Sequence, residues 1–224
     1  MISYKLTRSK RKTVALYVRK GLVDVRAPLR TPEQEIDRFV ASKEKWIKNK
    51  LACLEERAER REGFSLNYGD IILYRGKQYQ IVQKSGGRAV FDGDSFCVPQ
   101  GLSPQEIKAA CVRIYKKLAK KDLSEKVHYY AKRLSVDPLA VKVNTAKTRW
   151  GSCSAKKSLN FSWRLIMADD GVIDYVIVHE LAHIIELNHS KRFWAIVKSI
   201  LPDYKERQKR LKELQEKLAG EDWE

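Results

Sequence analysis

The sequence predicts an α+β fold, and three observations carry the prediction. Short β-like runs, several of them alternating apolar and polar residues, occupy much of the first hundred positions. A capping box near residue 103 opens a long helical segment, and a second, strongly apolar helical segment is centred near residue 178. The expected organisation is a β-rich N-terminal unit with one helix over residues 1–100 and a mostly helical unit over 101–224, with one continuous domain as the alternative.

Taken in order, "TVALYV" and "LVDVRA" alternate on either side of Lys20-Gly21, the pattern of a hairpin. Thr31-Pro32-Glu33 reads as a helix start, with Thr as the cap, Pro at the first helical position and an acid in the first turn. Ile36, Phe39, Val40, Trp46, Ile47, Leu51 and Leu54 keep helical spacing until Gly63 ends the segment. The runs "IILYRG", "QYQIV", "AVFD" and "SFCVP" follow between glycines, which predicts a small, mostly antiparallel sheet. Ser103-Pro104-Gln105-Glu106 then starts a basic helix that runs to about Leu134. Two further strands, "AVKVNTA" and "SLNFSWRLIMA", flank "KTRWGSCSAKK". Asp169-Asp170-Gly171 caps the apolar helix, and the stretch from Ser190 to Leu218 reads as one or two helices broken at Leu201-Pro202-Asp203.

The chain of 224 residues carries a net charge of +17, from 45 Lys+Arg against 28 Asp+Glu, which predicts attraction to polyanions without choosing among nucleotides, nucleic acid and acidic surfaces. The excess is local as well as global: no acid occurs between Pro138 and Ala168, where Lys142, Lys147, Arg149, Lys156, Lys157 and Arg164 supply six bases. Charge interrupts every apolar run before it could serve as a secretory or membrane-spanning segment, so a cytoplasmic protein with no membrane partner is expected. Cys53, Cys97, Cys111 and Cys153 form no C-x-x-C pair and read as separate free thiols.

The chemistry concentrates in "DYVIVHELAHIIELNH", residues 174–189, which holds three of the four histidines. His179-Glu180-Leu181-Ala182-His183 is an H-E-x-x-H motif; residues four apart on a helix differ by roughly 40°, so both imidazoles leave one face and can share an ion. His189 follows ten residues after His179, and in an unbroken helix it would point roughly 80° away. The chain must therefore leave the helix after Ile185 for His189 to return as third ligand, and Asn188 tolerates the left-handed turn expected there. Glu186 is the rival third ligand, but helical positions 0, 4 and 7 span roughly 10 Å of axis, too far for one ion with bonds near 2 Å. A place in the turn, or a hydrogen bond to a ligand from behind, suits it better. Three protein ligands leave an open position, the arrangement of a catalytic zinc, with Glu180 placed to deprotonate water.

At this point the sequence resembles the YgjP-like group of zinc metallohydrolases, relatives of the SprT and WLM proteases. The residues that carry the resemblance are "TRWGSCS" (148–154), "SLNFSWRLIMA" (158–168), "VIVHELAHIIELNHSKRFW" (176–194) and "LPDYKERQKRL" (201–211), with "SKRKTVALYV" and "KEKWIKNKL" nearer the start. It implies a zincin-like catalytic domain with an edge strand near the cleft, His179, His183 and His189 holding Zn2+, and Glu180 as catalytic base. Glu186 stands where metzincins place the glycine of their turn, and no Met-turn is present, which separates this chain from that group. Arg149 and Tyr204 are candidates for contacting the oxyanion or the substrate, whereas Phe193 and Trp194 read as core.

The same zinc serves two readings. In one, a peptide substrate lies along an edge strand from "SLNFSWRLIM" and Glu180 shuttles the proton between water and leaving amine. In the other, the basic stretch from Lys142 to Arg164 grips a nucleoside triphosphate of the UTP type, and the enzyme is a pyrophosphohydrolase; the family has carried both labels. Against the second stand the lack of a carboxylate cluster for Mg2+ and of a phosphate-cradling glycine loop. A third reading makes the chain a nucleic-acid-associated protein through its basic surface.

Overall fold

The computed structural model describes residues 2–19 and 21–223. The chain is α+β and divides into two compact units, Met1–Phe64 with Ala219–Asp222, and Ser65–Leu218 with Trp223–Glu224. The division falls at Phe64 rather than near residue 100 because the strands after Gly69 pack on the long helix that follows them: Tyr115 donates to the Leu73 carbonyl at 2.6 Å, and the Phe96 and Tyr115 rings lie 5.0 Å apart.

In the first unit, β1 (Lys5–Ser9), β2 (Ala15–Arg19) and β3 (Leu22–Pro28) form a sheet of order β1-β3-β2. The hairpin expected from the alternation is β2–β3, paired antiparallel, while β1 runs parallel to β3. Lys20, half of the expected turn, lies outside the described residues, and Gly21 supplies the positive φ of 73° that the turn needs. Period-two burial of Val23, Val25 and Ala27 meets Ile36, Val40 and Ile47 from the helices. The single expected helix is two, α1 (Glu33–Ser42) and α2 (Glu44–Glu62), with the break at Lys43. Thr31 does not cap α1: Pro32 stands at the cap with no side-chain hydrogen bond, and the Arg8 guanidinium holds the Thr31 carbonyl instead, at 2.7 Å.

The second unit opens with β4 (Ile71–Tyr74), β5 (Lys77–Lys84), β6 (Val90–Phe91) and β7 (Ser95–Pro99) in the order β4-β5-β7-β6, antiparallel except for β5–β7. The capping box is present at the start of α3 (Pro104–Leu134), and Ser135 ends the helix in the left-handed region at φ 53°. A second sheet follows, β8 (Ala140–Asn144), β9 (Gly151–Cys153) and β10 (Ser158–Ser162), in the order β8-β10-β9. This corrects the expectation that "SLNFSWRLIM" is an edge strand. β10 is the central strand, parallel to β8 and antiparallel to β9, and it ends at Ser162. Trp163, Leu165, Ile166 and Met167 are buried, a density of burial that a two-faced strand does not give, and they form a 3₁₀ turn. The helices α4 (Asp170–Ile185), α5 (Lys191–Ile200) and α6 (Tyr204–Leu218) complete the unit. Its aromatic core stacks Tyr115 on Trp163 at 5.3 Å, with Trp223 edge-on to both. Among the described residues no helix is long and apolar enough to cross a membrane.

Candidate metal centre

Helix α4 is fixed at its start by charge. Asp169 caps it, accepting from the Val172 N–H at 3.1 Å, and the acids of the first turns suit the positive end of the helix dipole. Cations arrive from three directions: Arg75 pairs with Asp170 at 2.7 Å, Lys126 of α3 with Asp174 at 2.6 Å, and Arg210 of α6 with Asp169 at 3.1 Å. Gly76, at φ 74°, lets the turn after β4 touch the cap, since a Cβ there would stand 2.8 Å from the Asp169 Cβ. Beyond these anchors the helix is apolar, and His179 and His183 leave the same face one turn apart, ring centroids 5.0 Å from each other.

The helix ends at Ile185, where the chain was expected to leave it for His189 to turn back. Glu186 leaves it in an extended conformation, φ −137° and ψ 110°. Among the described residues, Asn188 is not in the left-handed region, so the expected turn there is not used. Ser190 caps α5 by accepting from the Phe193 N–H at 3.2 Å, which swings His189 back over the helix. Its Nε2 comes to 3.0 Å from the Nε2 of His179, and its ring lies 4.7 Å from that of His183. Phe193, fully buried, forms the floor beneath all three imidazoles at 4.6–4.9 Å.

The donor set fits a metal ion. His179, His183 and His189 each offer a ring nitrogen, and these atoms lie within 4.8 Å of one another. A tetrahedral ion with bonds of about 2.0–2.1 Å holds its ligand atoms about 3.3 Å apart, close to the 3.0 Å between two of them here. His183 Nδ1 lies 3.2 Å from the Glu186 carbonyl, which puts its proton there and leaves Nε2 as an acceptor. Burial and the neighbouring imidazoles push His179 down to about 3, so it is neutral and ready to ligate; burial also lowers His183. The Nδ1 of His179 is buried without a hydrogen-bond partner among the described residues. The rival, Glu186, is not in the cluster: its carboxylate faces Arg192 at 3.9 Å, and its carbonyl serves His183.

Glu180, only 7% exposed, is pushed up to about 7 by burial; Arg149 and a hydrogen bond from the Cys153 backbone pull it back down. It presses on β9, where a Cβ at Gly151 would stand 2.6 Å from its Cγ and 2.7 Å from its Oε1.

A family model of the YgjP-like metallopeptidase domain matches residues 12–214. This chain belongs to the YgjP-like family. Membership implies a hydrolase that works with a metal ion. Two solved structures are similar to part of this YgjP-like protein. The metallopeptidase zymogen of Pyrococcus abyssi abylysin shares 21% identity over 40% of this chain and 90% of its own, with a TM-score of 0.38. The metallopeptidase zymogen of Methanocaldococcus jannaschii jannalysin shares 22% over 42% and 96%, also with a TM-score of 0.38. No curated protein matches the sequence.

The other predicted residues of the YgjP-like chain fall as follows. Arg149 is exposed and close enough to Glu180 for its charge to act on the carboxyl. Tyr204 stacks on Trp194 at 5.2 Å, and Trp194 in turn stacks on His189 at 5.7 Å, so Tyr204 stands one ring removed from the cluster. Trp194 was expected in the core; it is half-buried and wedged between them. Sequence reasoning missed Gly151 and the Cys153 backbone, whose contacts to Glu180 join distant parts of the chain. The one available signal was a glycine inside the short segment "RWGSC", since glycine within a strand marks a close approach.

Proposed function

We propose that this YgjP-like protein is a zinc-dependent metallopeptidase in which His179, His183 and His189 hold the ion and Glu180 is the general base. The observation that carries the reading is the buried Glu180 lying between the histidine cluster and a strand edge. Ser162 N–H bonds the Trp150 carbonyl and Ser154 N–H bonds the Ser158 carbonyl, so ladder alternation turns the backbone of Gly151 and Cys153 away from β10. Among the described residues no strand pairs with that outer edge. With the Cys153 N–H taken by Glu180, it offers an extended peptide the N–H and C=O of Gly151 and the C=O of Cys153 for strand addition.

Bound zinc supplies Lewis acidity, polarising a carbonyl and acidifying water. Glu180, with an affinity for protons near neutrality, takes a proton from the attacking water and returns it to the leaving amine. The hydrogen bond from Cys153 keeps the carboxylate aimed while it is charged. Arg149 donates to the oxygen on which charge develops. Tyr204 is a less direct contributor, bracing Trp194 against His189.

The competing reading, hydrolysis of a nucleoside triphosphate by the same groups, draws on the acid-free stretch around Arg149. One experiment separates them. Protein shown to hold one zinc is given a library of internally quenched peptides and, in parallel, the four nucleoside triphosphates, beside Glu180→Gln. Peptide turnover that disappears in the variant supports the peptidase. Nucleotide turnover that disappears, with peptides untouched, replaces it with the pyrophosphohydrolase.

A further inference from the structure

The first thirty residues carry nine bases and a single acid, Asp24. The strand pairing sorts them. Val23, Val25 and Ala27 of β3 are buried with the residues of α1 and α2, so alternation turns Asp24 and Arg26 to the opposite face of the sheet. The register sets Lys5 and Tyr17 beside Asp24, and Thr7 beside Arg26. Arg19, two residues along β2 from Tyr17, shares that face. Lys5, Thr7, Arg19 and Arg26 are exposed.

Tyr17 sits at the middle of this face with the guanidinium carbons of Arg19 and Arg26 5.3 and 5.0 Å from its ring centroid. Asp24 pairs with Arg26 at 3.3 Å, leaving that side chain 47% exposed, and no other acid lies in the first thirty residues to offset the three cations. Arg8 takes no part, because its guanidinium is committed to the carbonyls of Pro28, Leu29 and Thr31. The outcome is a sheet face with an aromatic ring and two planar cations at its centre and an excess of positive charge around them.

We propose that this outer face of the β1-β3-β2 sheet binds single-stranded nucleic acid, with Lys5, Arg19 and Arg26 on phosphates and the Tyr17–guanidinium cluster as a stacking surface for bases. Single strands offer both of the things this face is built to receive, a line of negative charges and exposed flat rings that stack on aromatic and guanidinium planes. An acidic polypeptide supplies the charge without the planes. A duplex is read by an element inserted into a groove, and this face is a sheet without a protruding helix. The inference is independent of the metal centre and of what that centre hydrolyses.

The test is fluorescence anisotropy of a labelled 20-nucleotide oligo-dT and its RNA counterpart with the full chain, across a salt series. Three phosphate contacts give a log–log salt slope of about −2, from about −0.7 per contact on a single strand. Arg19→Glu with Arg26→Glu is expected to weaken binding at least tenfold and flatten the slope; Tyr17→Leu, which keeps the strand propensity, to weaken it several-fold at unchanged slope. Arg19→Gln with Arg26→Gln repeats the loss without adding repulsion against Asp24, should the first pair fail to fold. Lys117→Glu with Lys121→Glu, exposed on α3, imposes the same change of net charge and is expected to leave binding within threefold. Equal losses from both pairs overturn the assignment, because diffuse charge then accounts for the binding. So does the absence of binding at 50 mM salt, or vesicles of anionic phospholipid or polyglutamate displacing the oligonucleotide while themselves responding to the sheet variants more strongly.

Discussion

Gly151→Ala isolates the position of Glu180 from its identity. The added methyl carbon would stand 2.6 Å from the Glu180 Cγ, 2.7 Å from Oε1 and 2.9 Å from Cδ. Carbon atoms rest at about 3.5–4.0 Å, so the carboxyl must retreat by about 1 Å. A displacement of that size in a group that handles a proton lowers the rate about 100-fold, equivalent to about 2.7 kcal/mol of transition-state stabilisation. Stability suffers less, about 1–3 kcal/mol for overpacking and nearer the lower end, since what yields is a side chain rather than backbone. None of the three closest atoms to the new methyl belongs to an imidazole, so zinc stoichiometry stays at one. The assay is kcat/KM on a cleaved peptide, with zinc content and Tm measured on the same preparation. In Gly151→Ala/Glu180→Gln the glycine change costs no further activity, because the isosteric amide, though displaced in the same way, has no carboxylate left to take the proton. Folded, zinc-loaded Gly151→Ala with kcat/KM within threefold of wild type would refute the reasoning, and so would a loss of activity that merely follows a loss of zinc.

Two further outcomes follow from the same geometry. His179→Ala, His183→Ala and His189→Ala each lower zinc affinity at least 100-fold in competition with a chromophoric chelator, whereas Glu186→Gln stays within tenfold, since only its carbonyl serves the cluster; equal losses in Glu186→Gln would make its carboxylate a ligand. In metal-free protein, burial raises Glu180 from 4.5 to about 7, so the folded chain keeps a proton that the unfolded chain releases. Its contribution to stability is whole below pH 4.5 and lost as pH rises through about 7. Glu180→Gln removes that loss, and the stability difference, variant minus wild type, grows over this interval by up to about 3 kcal/mol in urea titrations; a difference independent of pH would show that the carboxyl is solvated.

The histidine cluster was legible because its logic is local. Two histidines on one helical face follow from 100° per residue, and the same figure shows that a third ten positions on can join them only where the helix stops after Ile185. How the chain then turned was not legible: extended backbone at Glu186 and the Ser190 cap do together what a left-handed Asn188 was expected to do. The strand edge was misassigned for a related reason. "SLNFSWRLIMA" is apolar enough to suggest one long strand, but whether a strand is central or marginal is decided by its partners, and β9 is three residues long. The division of the compact units at Phe64 was not legible, because alternation reveals strands without revealing which helix covers them. Gly151 lay beyond reach altogether, since a glycine's meaning comes from the atom it lets approach, and that atom belongs to Glu180 of another element.

These non-local contacts explain how the cluster can be assembled before any ion arrives. Neutral imidazoles packed together and buried are unfavourable company for a proton, which is why His179 sits at about 3. The arrangement holds because its supports lie elsewhere: the ion pairs of Asp169, Asp170 and Asp174 secure one end of α4 from the turn after β4, α3 and α6, and Phe193 with the Ser190 cap fixes the loop at the other. If the proposed ion binds here, side chains carried on elements anchored in this way need little rearrangement to meet it, so most of the binding energy would stabilise the fold by mass action rather than order it. Glu180 gains the same benefit. Its backbone rides on the helix that carries His179 and His183, its carboxyl is hydrogen-bonded by β9, and its distance from the histidine cluster is therefore set by two packed elements and not by a loop.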